Sequence, residues 1–136
     1  MNFKKLKITE GKYWDAFLHE DQTVIGRIYF WYKEEGIIDL LDAPEEAILE
    51  FQNLAKKFKN SLINLFKPDM FNYLALNNNT QHLHIHMIPR YSKKVRQFGF
   101  VFKDSNFGKN YKRDLNFKID EEVLIKIKEE IKKQLG

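Results

Sequence analysis

The sequence predicts an α+β fold with a mainly antiparallel sheet. The first observation is the order of the predicted elements, which runs strand, strand, helix, strand, strand, helix. The second is the kind of connection, because short polar turns join the consecutive strands. At 136 residues the chain has room for one core, and the hydrophobic content of 43% is typical of a folded globule. We therefore expect one domain spanning residues 1–136.

The first two predicted strands cover Tyr13–His19 and Thr23–Tyr32. The second is rich in β-branched and aromatic residues, which favour strands. The tripeptide "EDQ" between them predicts a polar turn, and "KEEG" closes the second strand.

Apolar residues at helical spacing predict two amphipathic helices. The first is predicted to start at Pro44, with Asp42 as a possible cap, and to stop at Pro68. The second is predicted to start at Asp120, where two glutamates follow in the first turn.

Three further strands complete the expected elements: Met70–Leu76, the histidine-containing segment that follows it, and Phe98–Phe102. The turn between the first two contains Asn77, Asn78 and Asn79. Asparagine is one of the few residues other than glycine that tolerate positive φ.

Composition and charge narrow the function classes. The chain has no cysteine, so disulfides and thiolate metal sites are excluded. It has no signal-type segment or long apolar run, which predicts a cytoplasmic protein without membrane association. The net charge is +4, and eight basic residues against two acidic ones lie between Lys93 and Lys118. That stretch is either a solvated loop or a field that attracts an anionic ligand such as a phosphate chain; no motif for nucleic-acid binding accompanies it.

The segment "HLHIHMIPR" contains the candidate functional residues. On a strand, His82, His84 and His86 would share one face, about 6.6 Å apart in sequence order, and the apolar residues between them would face the core. Three readings stay open: chance decoration of a strand face, a metal site, and catalysis. In-line ligands on one strand converge poorly on one ion. A neutral imidazole between two hydrogen-bond donors, in contrast, suits nucleophilic attack on phosphorus.

The same segment resembles the signature of the histidine-triad (HIT) superfamily, in which histidines alternate with apolar residues. "WDAFLHEDQTVIGRIYF", "MFNYLALNNNTQHLHIHMIPRY" and "NFGKN" resemble the branch described as diadenosine-polyphosphate hydrolase-like. The resemblance implies a five-stranded antiparallel sheet with two helices, a homodimer and a nucleotide substrate. It implies no cofactor, apart from Mg²⁺ that accompanies substrate phosphates.

The resemblance also implies roles for seven residues. His84 matches the nucleophile that takes a nucleoside monophosphate from a dinucleoside polyphosphate or a nucleoside phosphoramidate. The substrate-binding residues that it implies are His82, His86, Asn78, Asn72, Gln22 and Arg27. A nucleotide-binding protein with little turnover and a nucleotidyltransferase that uses the same intermediate are the alternatives.

Overall fold

The computed structural model describes residues 3–136 and contains a five-stranded antiparallel sheet and two helices. The strand order in the sheet is β1-β2-β3-β5-β4, and a separate two-stranded ribbon pairs β6 with β7. The predicted α+β class is therefore confirmed. The strands are β1 (Lys7–Glu10), β2 (Trp14–Leu18), β3 (Ile28–Tyr32), β4 (Met70–Leu74), β5 (His84–Arg90), β6 (Val95–Gln97) and β7 (Phe100–Phe102).

The two helices are α1 (Glu45–Phe66) and α2 (Glu121–Leu135). Helix α1 ends where Lys67 adopts a left-handed conformation with φ 56°, directly before Pro68, which cannot continue a helix. The predicted start at Pro44 is confirmed, since Pro44 occupies the N-cap position. Asp42 is not the cap; it lies in a short 3₁₀ turn, Leu40–Asp42. Asp120 occupies the N-cap position of α2, without a side-chain capping bond.

The hydrophobic core packs against one face of the sheet. Alternate residues of β2 and β3 are buried, as the two-residue period of a strand requires. Phe58 of α1 meets Phe30 of β3 edge to face, with ring centroids 5.6 Å apart. The opposite face is only partly covered. It presents Tyr29, Trp31, His84 and His86 from the two central strands.

The second predicted strand is wrong in its first half, because residues 23–27 form a loop. The side chain of Gln22 holds that loop closed: its amide nitrogen donates to the carbonyls of His19 and Arg27, and its oxygen accepts from the Gly26 backbone N–H at 2.7 Å. Gly26 has φ 95°, a conformation that interrupts a strand. Val24 and Ile25 are nevertheless fully buried, which explains why their sequence resembles a strand.

Other elements also differ from the prediction. Strands β1 and β6 were not predicted, β2 covers Trp14–Leu18 instead of Tyr13–His19, and β4 ends at Leu74 instead of Leu76. The predicted strand Phe98–Phe102 is shortened to β7, because Phe98 and Gly99 both have positive φ and form the turn from β6. The histidine strand begins at His84, so His82 lies just before it.

Candidate active site

A cavity of about 1040 Å³ opens on the uncovered face of the sheet. Its floor is aromatic, with Phe17 stacked on Tyr29 at 5.1 Å and Trp31 beside them. His84 and His86 line it, and so does His19. The charged residues around it are Lys4, Lys7, Arg27 and Arg113, opposed by Asp15 and Glu20.

His84 is the first residue of β5, and its position fixes the proton on its ring. Its Nδ1 lies 2.7 Å from the backbone carbonyl oxygen of His82. Because a carbonyl can only accept a hydrogen bond, Nδ1 must carry the proton. The neutral ring then has its lone pair on Nε2, the nitrogen that a nucleophile at phosphorus needs.

The backbone of His84 is held by the turn that precedes β5. Its N–H donates to Oδ1 of Asn77 at 3.0 Å, and Nδ2 of Asn77 donates to the carbonyl of Ile38 at 2.7 Å. Asn77 has φ 53°, so the expected tolerance of asparagine for positive φ is confirmed. The predicted site residue Asn78 is exposed and lines the cavity. The amide that supports His84 is therefore that of Asn77, which the sequence prediction did not select.

His82 supports the site from behind the cavity wall. It is buried, its Nε2 lies 2.5 Å from the carbonyl oxygen of Tyr32, and its ring stacks on Trp31 at 4.1 Å. Trp31 also stacks on His84 at 5.7 Å. The expected common face of the three histidines is thus retained, but His82 reaches the cavity only through Trp31 and through the carbonyl that binds His84.

His86 carries its proton on the opposite nitrogen from His84. Its Nδ1 lies 3.3 Å from Nη2 of Arg27, and a guanidinium can only donate. Nδ1 therefore accepts, and the neutral ring has its N–H at Nε2. Burial, together with the charge of Arg27, lowers the pKa of His86 to about 4, so the ring is neutral at pH 7.

His19 is a fourth histidine of the site, and the sequence prediction missed it. It follows β2, and its ring centroid lies 5.6 Å from that of His86. Its Nδ1 accepts from the backbone N–H of Asp21 at 2.9 Å. Burial and the charge of Arg27 lower its pKa to about 3. The available signal was its place at the end of the first predicted strand, Tyr13–His19, but no local pattern marks it.

Asp21 joins Arg27 to a distant part of the chain. One carboxylate oxygen accepts from the N–H and hydroxyl of Thr23. The other accepts from Arg27 at 2.6 Å and from the Tyr111 hydroxyl at 2.5 Å. Burial opposes ionisation of this carboxyl, but the hydrogen bonds from Tyr111 and Thr23 and the charge of Arg27 outweigh it and hold its pKa below the usual value.

Besides His82, two predicted site residues are not brought to the cavity. Gln22 uses both ends of its amide to brace the loop between β2 and β3. Asn72 in β4 accepts from the guanidinium of Arg90 at 2.8 Å. The structure places each at a supporting position instead of against the cavity.

Arg90 anchors a segment that we call the strap, residues 104–114. The Arg90 guanidinium is almost fully buried and forms two hydrogen bonds with the carboxylate of Asp104, at 2.6 and 3.1 Å. It also donates to the backbone carbonyls of Asn106 and Lys109. The strap crosses to the cavity, where Arg113 lines it. Of the basic stretch from Lys93 to Lys118, Arg113 is the residue that reaches the cavity wall.

Two other features are absent from the part of the chain that the structure describes. Within residues 3–136, no cluster of three or more histidine, aspartate or glutamate side chains is arranged to hold a metal ion. In the same part of the chain, no helix has the length and apolar character needed to cross a membrane.

Comparison with known proteins gives a fold relationship. No family model and no curated protein sequence matches the chain. Among solved structures, a hypothetical histidine triad nucleotide-binding protein from Sulfolobus tokodaii has a TM-score of 0.71 at 18% identity, covering 96% of this chain and 83% of that one. A histidine triad protein from Marinobacter aquaeolei has a TM-score of 0.68 at 22% identity, covering 100% and 98%. One from Bradyrhizobium japonicum has a TM-score of 0.71 at 13% identity, covering 96% and 90%.

These neighbours establish that the chain has the fold of histidine-triad proteins.

Proposed function

We propose that the protein is a nucleotide hydrolase that releases a nucleoside monophosphate from a dinucleoside polyphosphate or a nucleoside phosphoramidate. The observation that carries the proposal is the contact between Nδ1 of His84 and the His82 carbonyl, since it leaves the lone pair of Nε2 for attack in the cavity. The histidine-triad fold of the solved neighbours supports it. In this proposal the enzyme belongs to the diadenosine-polyphosphate hydrolase-like branch.

The reaction would proceed in two displacements. Nε2 of His84 attacks the α-phosphorus, an N–P bond forms, and the bond to the leaving group breaks with its electron pair. A water oxygen then attacks the same phosphorus and its proton passes to solvent, the N–P bond breaks with its electron pair returning to Nε2, and the monophosphate is released. The N–H at Nε2 of His86 would donate to a phosphoryl oxygen that gains charge, and Arg27 would add a fixed positive charge.

A panel of dinucleoside polyphosphates and adenosine phosphoramidate tests the proposal, with release of the monophosphate as the readout. His84→Asn is the informative variant, because its amide nitrogen takes the place of Nδ1 while nothing replaces Nε2. It should lose turnover by several orders of magnitude and keep binding of nucleoside monophosphate, which serves as the folding control. Turnover near the wild-type rate would refute the role of His84.

Two alternatives predict different outcomes in the same assay. A binding protein with little turnover would hold the nucleotide but form no nucleotidyl-histidine. Mass spectrometry of the quenched protein tests this, because the acid-sensitive adduct, where it forms, is detected as an added mass at His84. A nucleotidyltransferase would form the adduct but pass the nucleotide to an acceptor other than water. Incorporation of ¹⁸O from labelled water into the monophosphate distinguishes hydrolysis from transfer.

The setting of the activity is part of the proposal. We propose that the enzyme acts in the cytoplasm as a homodimer and requires no cofactor beyond Mg²⁺ bound to the substrate phosphates. The apolar surface of edge strand β4 supports self-association: Met70, Tyr73 and Leu74 are exposed there, and an uncovered strand edge is a natural site for pairing.

A further inference from the structure

The position of Arg113 is fixed by neighbours on both sides of it along the chain. Two residues earlier, the Tyr111 hydroxyl donates to Asp21. One residue later, the backbone N–H of Asp114 donates to the Thr23 hydroxyl at 3.0 Å. Arg113 is therefore held at the cavity by two contacts with the loop between β2 and β3.

The guanidinium of Arg113 has unused hydrogen-bonding capacity. Its nearest carboxylate oxygen is Oδ1 of Asp21, 3.8 Å from Nε, which is too long for a hydrogen bond. Within residues 3–136, Arg113 forms no hydrogen bond. Asp21 cannot offer more, because four hydrogen bonds from Thr23, Arg27 and Tyr111 already occupy its oxygens.

Two other cations at the cavity, Arg27 and Lys7, are less suited to bind a phosphate chain. Arg27 is committed to Asp21 and His86. Lys7 is paired with Glu10 at 2.9 Å and lies 3.6 Å from Asp15. Arg113 is 45% exposed and keeps its planar donor fork, which matches the geometry of a phosphoryl group.

We propose that Arg113 binds the phosphates of the substrate beyond the one that His84 attacks, and so makes the enzyme selective for leaving groups that carry several ionised phosphates. This inference rests on the proposed function, because it adds a residue to the site proposed for that reaction. It makes Arg113 a specificity-determining residue that contacts the leaving group.

A pair of strap variants tests the inference. Arg113→Ala and Lys112→Ala remove one positive charge each from adjacent residues, and Lys112 is exposed and does not line the cavity. We expect Arg113→Ala to lower the ratio of kcat/KM for a dinucleoside tetraphosphate to kcat/KM for adenosine phosphoramidate by about tenfold, the usual scale of one lost charged contact. Lys112→Ala should change that ratio less than twofold. Equal losses on both substrates in Arg113→Ala, or equal ratios in the two variants, would overturn the inference.

A binding measurement separates this inference from the proposed function. Inorganic tripolyphosphate, titrated by calorimetry at low salt, should bind the wild type and Lys112→Ala with similar Kd, and Arg113→Ala about tenfold more weakly. If the wild type hydrolyses no substrate but shows this pattern, the proposed hydrolysis fails while Arg113 remains the phosphate-binding residue. If the wild type does not bind tripolyphosphate, or Arg113→Ala binds it equally well, the inference is wrong whatever the enzyme activity.

Discussion

Replacement of Asp21 by asparagine should destabilise the protein strongly, although the two side chains have nearly the same shape. The Asp21 carboxylate is 2% exposed, and each of its oxygens accepts two hydrogen bonds. An asparagine keeps one oxygen. Its amide nitrogen must face either the Thr23 N–H or the Arg27 guanidinium, and both are donors.

The expected loss of stability follows from the burial of the Asp21–Arg27 ion pair. Breaking a buried ion pair by removal of one partner costs about 3–5 kcal/mol, and the 12% exposure of Arg27 places this case at the lower end. We therefore expect a loss of about 3 kcal/mol in the free energy of unfolding, or about 10 °C in Tm for a chain of this size. Urea unfolding at pH 7, followed by tryptophan fluorescence, measures the loss.

Asp15→Asn is the matched control. Asp15 lines the cavity, but its nearest lysines lie at 3.6 and 3.9 Å, beyond hydrogen-bond distance, so its replacement should cost less than about 1 kcal/mol. Equal losses in the two variants, or a loss below about 1 kcal/mol for Asp21→Asn, would show that Asp21 does not hold the strap and Arg27 together.

Two further predictions concern the histidines and the oligomeric state. Arg27→Gln removes a charge that lowers the pKa of both His86 and His19, so NMR titration should show both pKa values raised. These rings are neutral in the folded protein and titrate near 6.5 when unfolded. The free energy of unfolding should therefore fall as the pH drops below about 6.5, and it should fall less steeply in the variant. Unchanged pKa values of His86 and His19 in Arg27→Gln would contradict this prediction. Tyr73→Lys on edge strand β4 should convert the proposed dimer to a monomer in sedimentation equilibrium, whereas Leu115→Lys, which changes an exposed leucine elsewhere, should not; a monomeric wild type would contradict the proposal.

Periodicity predicted the elements that are governed by local pattern. The helical stripe and Pro68 placed the first helix correctly, and the alternation after residue 82 placed Ile85 and Met87 in the core and His84 and His86 on the open face. The period alone could not locate the start of the strand. Leu83 bonds through its N–H to Ile37 and through its carbonyl to Tyr32, so regular pairing begins one residue later, and His82 lies before the strand and outside the cavity lining.

Contacts between distant segments could not be predicted in the same way. Tyr111 and Asp21 are 90 residues apart in sequence, and the segment around Tyr111 has the composition of a solvated loop. Gln22 and Asn72 were selected because they match family positions, but their partners are a loop backbone and the buried Arg90. What such side chains do depends on which polar groups the fold brings within reach, and a local pattern carries no information on that.

In the proposed reaction, the proton positions on His84 and His86 favour one kind of leaving group. Each proton position is set by a partner with a fixed hydrogen-bonding role. The His82 carbonyl can only accept a hydrogen bond from His84, and the Arg27 guanidinium can only donate one to His86. The two rings, whose centroids are 5.0 Å apart, thus offer a lone pair at Nε2 of His84 and an N–H at Nε2 of His86. A neutral His86 can stabilise oxygens that gain charge, but it is a poor proton donor to a leaving amine. A polyphosphate departs as a stable anion and needs no such proton. The role proposed for Arg113, which lines the same cavity, acts in the same direction, so we expect phosphoanhydrides to be the better substrates in the panel.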